Sequence, residues 1–216
     1  MSHRPRVSHS ILYEWFAPLY DLGVWLLALP LGGEAAIREK VIEKASPLNG
    51  MKTLEIFSGT ASLSLLAARR GASPIAFDIS TGMLKAARFK AARSDLKLNL
   101  VRGDAAMLPF GEGEFDRVIV SMGLHETEPS TVPQILKESY RVLKDGGRLI
   151  LFDFYGAEEG GPRVMQSLFF TFAEGETAKA WVRTDVQAIV SGTGFKNFKR
   201  EFLHRRAFQL LTAEKR

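Results

Sequence analysis

The most informative part of the sequence for the fold is Lys52-Thr-Leu-Glu-Ile-Phe-Ser-Gly-Thr-Ala-Ser-Leu-Ser-Leu-Leu-Ala-Ala-Arg-Arg-Gly71. It begins with a short apolar run, residues 54–57, which the carboxylate of Glu55 interrupts. A tight turn around Gly59 follows, and then a segment whose apolar residues recur at helical spacing until Gly71. This pattern predicts a strand, a glycine turn and a helix, which together present backbone N–H groups to a cofactor. A strand carboxylate beside that turn favours a cofactor that carries positive charge.

A second carboxylate lies at the end of the next predicted strand. Residues 74–78 form a short apolar run that ends in Asp78, about 20 residues after the glycine turn, where α/β nucleotide-binding folds hold a ribose diol. Ser80 is positioned to cap the helix predicted at residues 83–93. Asp78 could instead serve that helix as a structural cap, but its position favours the ribose role.

Composition limits the function classes. The chain has 216 residues, enough for one α/β domain with a sizeable core, and its net charge is +5. The basic residues are scattered, which indicates a solvated surface and no nucleic-acid partner. The chain has no cysteine, so disulfides and thiolate metal sites are excluded, and no metal site is predicted. No pattern in the sequence predicts an oligomeric state.

At these motifs the sequence resembles the class I S-adenosylmethionine-dependent methyltransferases. Their first motif, an acid followed by three alternating glycines, stands here as Glu55-Ile-Phe-Ser-Gly-Thr-Ala61, with Phe57 and Ala61 in place of the outer glycines. Gly103-Asp-Ala-Ala-Met-Leu-Pro-Phe110 resembles a further family stretch closely, and it is the most specific match in the chain. Ala61 adds one methyl group, whereas Phe57 is expected to crowd the cofactor and weaken its binding.

The resemblance implies S-adenosylmethionine as the cofactor and assigns roles to particular residues. Asp78 would hold the ribose, Asp104 would face the adenine amino group, and the N–H of Ala105 would face a ring nitrogen. The full set of implied cofactor-binding residues is Glu55, Ser58, Gly59, Thr60, Asp78, Ile79, Asp104, Ala105 and Ser121.

Two residues are candidate catalytic bases for an acceptor that must lose a proton. His125 follows the fourth predicted strand, beside the point where ligands sit in such sheets. A structural histidine is about as frequent at such a place as a catalytic one. Tyr20, in a Tyr-Asp pair of the N-terminal segment, matches a family feature and is the second candidate.

Two apolar segments lie outside the predicted sheet and its helices. Residues 11–30 are rich in aromatic residues, but acids and Pro18 interrupt them, so neither a membrane span nor a signal peptide is predicted. We interpret residues 1–30 as a tail and a lid over the site, with a buried core helix as the alternative. Residues 31–216 are predicted to form a single methyltransferase domain with a cover insertion at residues 156–176, which contains a Phe169 cluster.

The element pattern predicts the fold class. We expect an α/β, Rossmann-like methyltransferase fold with a mostly parallel seven-stranded sheet, an antiparallel C-terminal strand and helices on both faces. The helices are predicted at residues 34–45, 132–143 and 177–190 besides those given above. The later strands are predicted at residues 96–101, 115–121 and 148–154, and a hairpin at residues 195–203 and 207–211.

The resemblance is strongest to the ubiquinone/menaquinone C-methyltransferases and the bacterial phospholipid N-methyltransferases. It implies a cytoplasmic methyltransferase with a small or lipid-like acceptor, and it leaves peripheral membrane contact open. The alternative is a degenerate binding protein on the same fold, which the bulk of Phe57 suggests. A nicotinamide-dependent oxidoreductase is a weaker option, because the chain contains no Gly-x-Gly-x-x-Gly.

Overall fold

The computed structural model describes residues 34–156 and 175–216. The predicted lid, Tyr20 and most of the predicted cover insertion lie outside the described residues. In chain order the helices and strands are α1 (Glu34–Ala45), β1 (Lys52–Ile56), α2 (Ser62–Arg69), β2 (Ser73–Asp78), α3 (Thr81–Arg93), β3 (Asn99–Arg102), β4 (Phe115–Ser121), a 3₁₀ helix (Leu124–Glu126), α4 (Val132–Val142), β5 (Leu143–Phe154), α5 (Gly175–Trp181), α6 (Val186–Gly192), β6 (Lys196–Leu203) and β7 (Phe208–Glu214).

The strands form one seven-stranded sheet in the order β3-β2-β1-β4-β5-β7-β6. Strands β1 to β5 pair in parallel, whereas β7 is antiparallel to both of its neighbours, β5 and β6. This confirms the predicted fold class. The strand order reverses between β1 and β4, and ligands of open α/β sheets bind outside the carboxyl ends of the strands at such a point.

The central strands are buried on both faces. Four consecutive residues of β1, Thr53 to Ile56, are all buried, although successive side chains of a strand point to opposite faces. Helices must therefore cover the sheet on both sides, as the crossover connections between parallel strands require. The buried position of Glu55 among these residues is unusual, because an isolated carboxylate is costly to remove from water.

Several predicted boundaries differ from the structure. Strand β3 begins at Asn99, three residues later than predicted. The segment 144–147, predicted as the loop after α4, belongs to β5, because Gly146 and Gly147 bond with Lys215 beyond the end of β7. The helix predicted at residues 177–190 is two helices, because the Asp185 side chain accepts the N–H of Ala188 and starts α6 anew.

Within the described ranges, no helix is long and apolar enough to cross a bilayer.

Candidate active site

The glycine turn after β1 is a left-handed bend built from unusual residues. Phe57, Gly59 and Ala61 have φ angles of 61°, 51° and 59°. Non-glycine residues rarely adopt this region, so the two that replace the family glycines still hold the backbone angles that glycine favours. Ala61 is fully buried and packs with Ala76 and Ala87, where only a small side chain fits. A Cβ added at Gly59 would meet no atom within 4 Å, so the turn leaves open space beside its backbone.

Asp78, at the end of β2, is joined to this turn. Its Oδ2 accepts the N–H of Gly59 at 2.7 Å, and its Oδ1 accepts the N–H of Ser80 at 2.9 Å. Burial raises the pKa of Asp78, and the backbone hydrogen bonds oppose that shift. The helix cap is a different group, because the Ser80 hydroxyl accepts the N–H of Met83. The structure therefore confirms Ser80 as the cap of α3.

The two hydroxyls of the turn have different surroundings. The Ser58 Oγ is buried and has no hydrogen-bond partner among the described residues. The Thr60 hydroxyl lies 3.4 Å from both Lys90 Nζ and Ser62 Oγ, and is therefore directed towards α2 and α3. A buried hydroxyl without a partner is costly, so Ser58 is the one of the two that a bound ligand would satisfy.

Glu55 is held by the helix that follows the turn. One of its carboxylate oxygens accepts both the N–H of Ser64, at 2.8 Å, and the Ser64 hydroxyl. Burial raises the pKa of Glu55 to about 7, and the hydrogen bonds from Ser64 only partly oppose this. The carboxyl group is therefore partly protonated at neutral pH. A direct role for Glu55 in cofactor binding stays a prediction.

This raised pKa predicts a pH-dependent stability. The folded state binds the proton of Glu55 more tightly than the unfolded state, so the stabilisation is complete below about pH 4.5 and is lost as the pH rises to about 7. We expect Glu55→Gln to match the wild type near pH 4.5 and to exceed its free energy of unfolding by about 3 kcal/mol above pH 7. Urea titrations across this pH range measure the difference. The same change at exposed Glu43 is the control, and a pH-independent difference for Glu55→Gln would contradict the assignment.

The Phe57 ring is accommodated by a glycine in the segment after β4. A Cβ added at Gly123, which follows β4, would lie 2.5 Å from Phe57 Cβ and closer still to its ring. Gly123 has a φ of −142°, which any residue adopts, so it is the ring and not the backbone angle that requires glycine there. The Phe57 side chain therefore points towards the segment that follows β4, and it packs the glycine turn after β1 against that segment.

This contact predicts that substitutions at Gly123 and Phe57 have coupled effects on the free energy of unfolding. Gly123→Ala is expected to lower the free energy of unfolding by about 1–3 kcal/mol, because the methyl group overlaps the Phe57 side chain near its rigid base. In a Phe57→Gly background the same change should cost little, and thermal or urea unfolding of the four proteins measures this coupling. Equal costs in both backgrounds would show that the ring does not set the requirement.

The same Phe57→Gly variant tests the predicted crowding of the cofactor. We expect it to bind S-adenosylmethionine more tightly than the wild type in a calorimetric titration. Unchanged affinity would show that the Phe57 ring, accommodated beside Gly123, does not crowd the cofactor.

The residues after β2 and β3 lie at the same edge of the sheet as the glycine turn, because β1, β2 and β3 run in parallel. The Asp104 side chain is exposed, and its Oδ1 accepts the N–H of Ala106 at 2.9 Å. Ala105 is buried, and the carbonyl of Ile79 accepts the Nε–H of Arg102. These positions agree with the implied binding of an adenosine, but their roles stay predictions. Ser121, half-buried at the end of β4, also lies at this edge.

His125 lies on the 3₁₀ helix after β4 and is almost fully buried, with 2% exposure. Its Nδ1 is 2.6 Å from Oδ1 of Asp153, a fully buried residue near the end of β5. Its Nε2 is 3.7 Å from Oε1 of Glu126, and its ring meets the Phe154 ring edge-on. Sequence reasoning missed Asp153. The available signal was a carboxylate inside an apolar strand, which is the same signal that identified Glu55.

The predicted cofactor residues fit S-adenosylmethionine. The open space beside Gly59 admits a ligand close to the backbone, and the buried Ser58 hydroxyl still has hydrogen-bonding capacity. The Asp78 carboxylate accepts backbone hydrogen bonds from Gly59, Ile79 and Ser80, and because a carboxylate offers about four acceptor sites it retains capacity for a hydroxyl of a ribose.

Comparisons with known proteins indicate the family of the chain. The family model described as a methyltransferase domain matches residues 53–147. The chain is 30% identical over 161 residues to a demethylmenaquinone methyltransferase of Thermus thermophilus. This alignment covers 74% of this chain and 71% of that protein. It is 29% identical to an uncharacterized methyltransferase of Synechocystis sp., over 94% of this chain and 93% of that protein. Several other demethylmenaquinone methyltransferases are matched over only 54–60% of their own length.

A solved structure shows the same fold. The phosphoethanolamine N-methyltransferase 2 of Haemonchus contortus, solved in complex with S-adenosyl-L-methionine, superposes with a TM-score of 0.69. The match covers 85% of this chain and 53% of that one, at 16% identity, and therefore supports the fold alone. Together with the sequence relatives, these findings show that the chain belongs to the class I S-adenosylmethionine-dependent methyltransferase family.

Proposed function

We propose that this protein transfers the methyl group of S-adenosylmethionine to a quinone-type, lipid-like acceptor, and that His125 removes a proton from that acceptor. The observation that carries the proposal is a buried imidazole, bonded to an acid, at the strand edge that also holds the predicted cofactor residues. The similarity to demethylmenaquinone methyltransferases supports the acceptor class.

The positions of the site residues suggest a separate role for each of them in the reaction. When bound, S-adenosylmethionine supplies the methyl group as an electrophile. Asp78 would hold the ribose and Asp104 the adenine, so that these residues fix the cofactor at the strand ends. His125 would receive the proton that a hydroxyl or ring carbon of the acceptor must lose, and the buried surroundings of the imidazole would keep water away from it.

An assay of reduced and oxidised acceptors tests this function. Carbon methylation needs an electron-rich ring, so we expect turnover of an unmethylated naphthohydroquinone with a short isoprenoid tail and none of the corresponding quinone. Mass spectrometry should find the gain of one methylene unit. The ring already methylated at that carbon is the control. Turnover of a phospholipid amine without any turnover of hydroquinones would overturn the proposed acceptor class.

We extend the proposal to peripheral membrane contact, because a lipid-like acceptor is met at a membrane surface and the net charge of +5 favours anionic lipids. Cosedimentation with vesicles of neutral or anionic phospholipid measures this. Binding to neither kind of vesicle would contradict the extension while leaving the acceptor assay unaffected.

A further inference from the structure

Asp153 is a buried carboxylate to which the proposed function gives no role. It lies on β5, next to the last residue of the strand, and has 0% exposure. A charge in such a place is expensive unless donors surround it. Among the described residues, the groups that hydrogen-bond to Asp153 lie in the segment that carries His125 or directly after Asp153.

The carboxylate is bonded on both oxygens. Its Oδ2 accepts the N–H of Leu124 at 3.0 Å, and its Oδ1 accepts the N–H of Phe154 at 2.7 Å as well as facing the Nδ1 of His125. One side chain therefore holds both the backbone and the ring of the 3₁₀ turn after β4. The turn lies directly beyond Gly123, on which the Phe57 ring of the glycine turn rests.

This geometry determines which ring nitrogen of His125 carries the proton. An ionised carboxylate only accepts hydrogen bonds, so at 2.6 Å from Oδ1 the Nδ1 must be the donor. In the neutral imidazole the other nitrogen, Nε2, then has the lone pair. Nε2 is 3.7 Å from the Glu126 carboxylate, which would stabilise the positive charge of the ring after it gains a second proton.

We propose that Asp153 is a positioning residue of the reaction, which fixes His125 in the tautomer with Nδ1–H and Nε2 as the proton acceptor. This inference rests on the proposed function of His125 as the base. In the step concerned, the acceptor's proton moves to Nε2, the electron pair of the broken bond stays on the acceptor, and the imidazole becomes an imidazolium. Asp153 acts only through its contact with the ring of His125 and touches neither acceptor nor cofactor.

The variant Asp153→Asn is informative because every group around the carboxylate is a donor. With the amide nitrogen at Oδ1, the NH₂ group faces Nδ1 of His125 and the N–H of Phe154, and with the amide nitrogen at Oδ2 it faces the N–H of Leu124. Either way a donor loses its acceptor, and the neutral amide holds the ring of His125 less strongly than the carboxylate does. Such a change favours the wrong tautomer, as it does in other enzymes whose histidine is oriented by an aspartate. Asp145→Asn, the same substitution at an exposed position of β5, is the matched control.

The experiment is nitrogen-15 NMR of the full chain with labelled histidine, together with kinetics. We expect the wild type to show His125 protonated on Nδ1 and unprotonated on Nε2, and D153N to show a mixture of tautomers. The kcat of D153N should fall by about tenfold or more, with the Kd for S-adenosylmethionine unchanged and D145N like the wild type. A wild-type His125 protonated on Nε2, or a D153N protein with unchanged kcat, would overturn the proposal.

The NMR part of this test depends neither on the folding of D153N nor on turnover of an acceptor. The wild-type spectrum needs no variant, so it decides the tautomer even if D153N does not fold. It also needs no acceptor, so the absence of turnover with every quinone-type acceptor would remove the proposed function while the spectrum still decides the role of Asp153.

Discussion

His125→Asn is expected to lower kcat by about 10²–10⁴-fold, which is the range that a positioned general base contributes. Asparagine suits the test because its amide nitrogen takes the place of Nδ1 and can still donate to Asp153, while nothing remains at the position of Nε2. The fold and the Kd for S-adenosylmethionine should therefore be unchanged. Steady-state kinetics with a saturating acceptor and a calorimetric titration of the cofactor measure the two quantities.

The control for this prediction is His204→Asn, on the loop between β6 and β7, for which we expect wild-type kinetics. If His125→Asn retained kcat within a factor of a few, His125 would be a structural histidine that Asp153 satisfies. Loss of folding together with loss of turnover would also favour the structural role, and His125→Gln, which instead leaves an amide near Nε2, would then be compared with it.

Asp78→Ala is expected to weaken binding of S-adenosylmethionine by about tenfold or more, because a carboxylate that bonds hydroxyl groups contributes about 1.5–3 kcal/mol. Part of the lost affinity comes from the turn itself, because Asp78→Ala also removes the acceptor of the Gly59 N–H. Ser80→Ala is the matched control. It removes the side-chain cap of α3 and should lower the free energy of unfolding by about 1 kcal/mol without changing the affinity.

Calorimetric titration and thermal unfolding of both variants separate the two roles of this segment. A D78A protein that binds the cofactor as the wild type does would show that the ribose is held elsewhere. A D78A protein that unfolds would mark Asp78 as a structural residue of the turn.

Local sequence was sufficient to predict most of the sheet and the residues that end its strands. The run from Lys52 to Gly71, the apolar run into Asp78 and the strand at residues 115–121 each have a short-range pattern that the structure confirms. Parallel strands bring their carboxyl ends to one edge, so the pairing of Gly59 with Asp78 follows from the fold once the strands are known.

The features that local sequence did not predict depend on contacts between distant parts of the chain. Nothing near Phe57 indicates that Gly123 makes room for its ring, and nothing near His125 indicates that Asp153 lies beside it. The division of residues 177–190 into two helices was missed for a different reason. The cap at Asp185 is a local signal, but the apolar spacing continues across it.

The most direct test of the central claim, that this protein transfers a methyl group, follows both products of one reaction. The purified full chain is incubated with a short-tailed naphthohydroquinone and S-adenosylmethionine whose methyl group carries deuterium, and mass spectrometry then measures labelled product and S-adenosylhomocysteine in the same sample. We expect the two to appear in equal amounts, and we expect His125→Asn to suppress both. Binding of S-adenosylmethionine with neither product formed from any quinone or phospholipid acceptor would contradict it and would identify the chain as a binding protein on the methyltransferase fold.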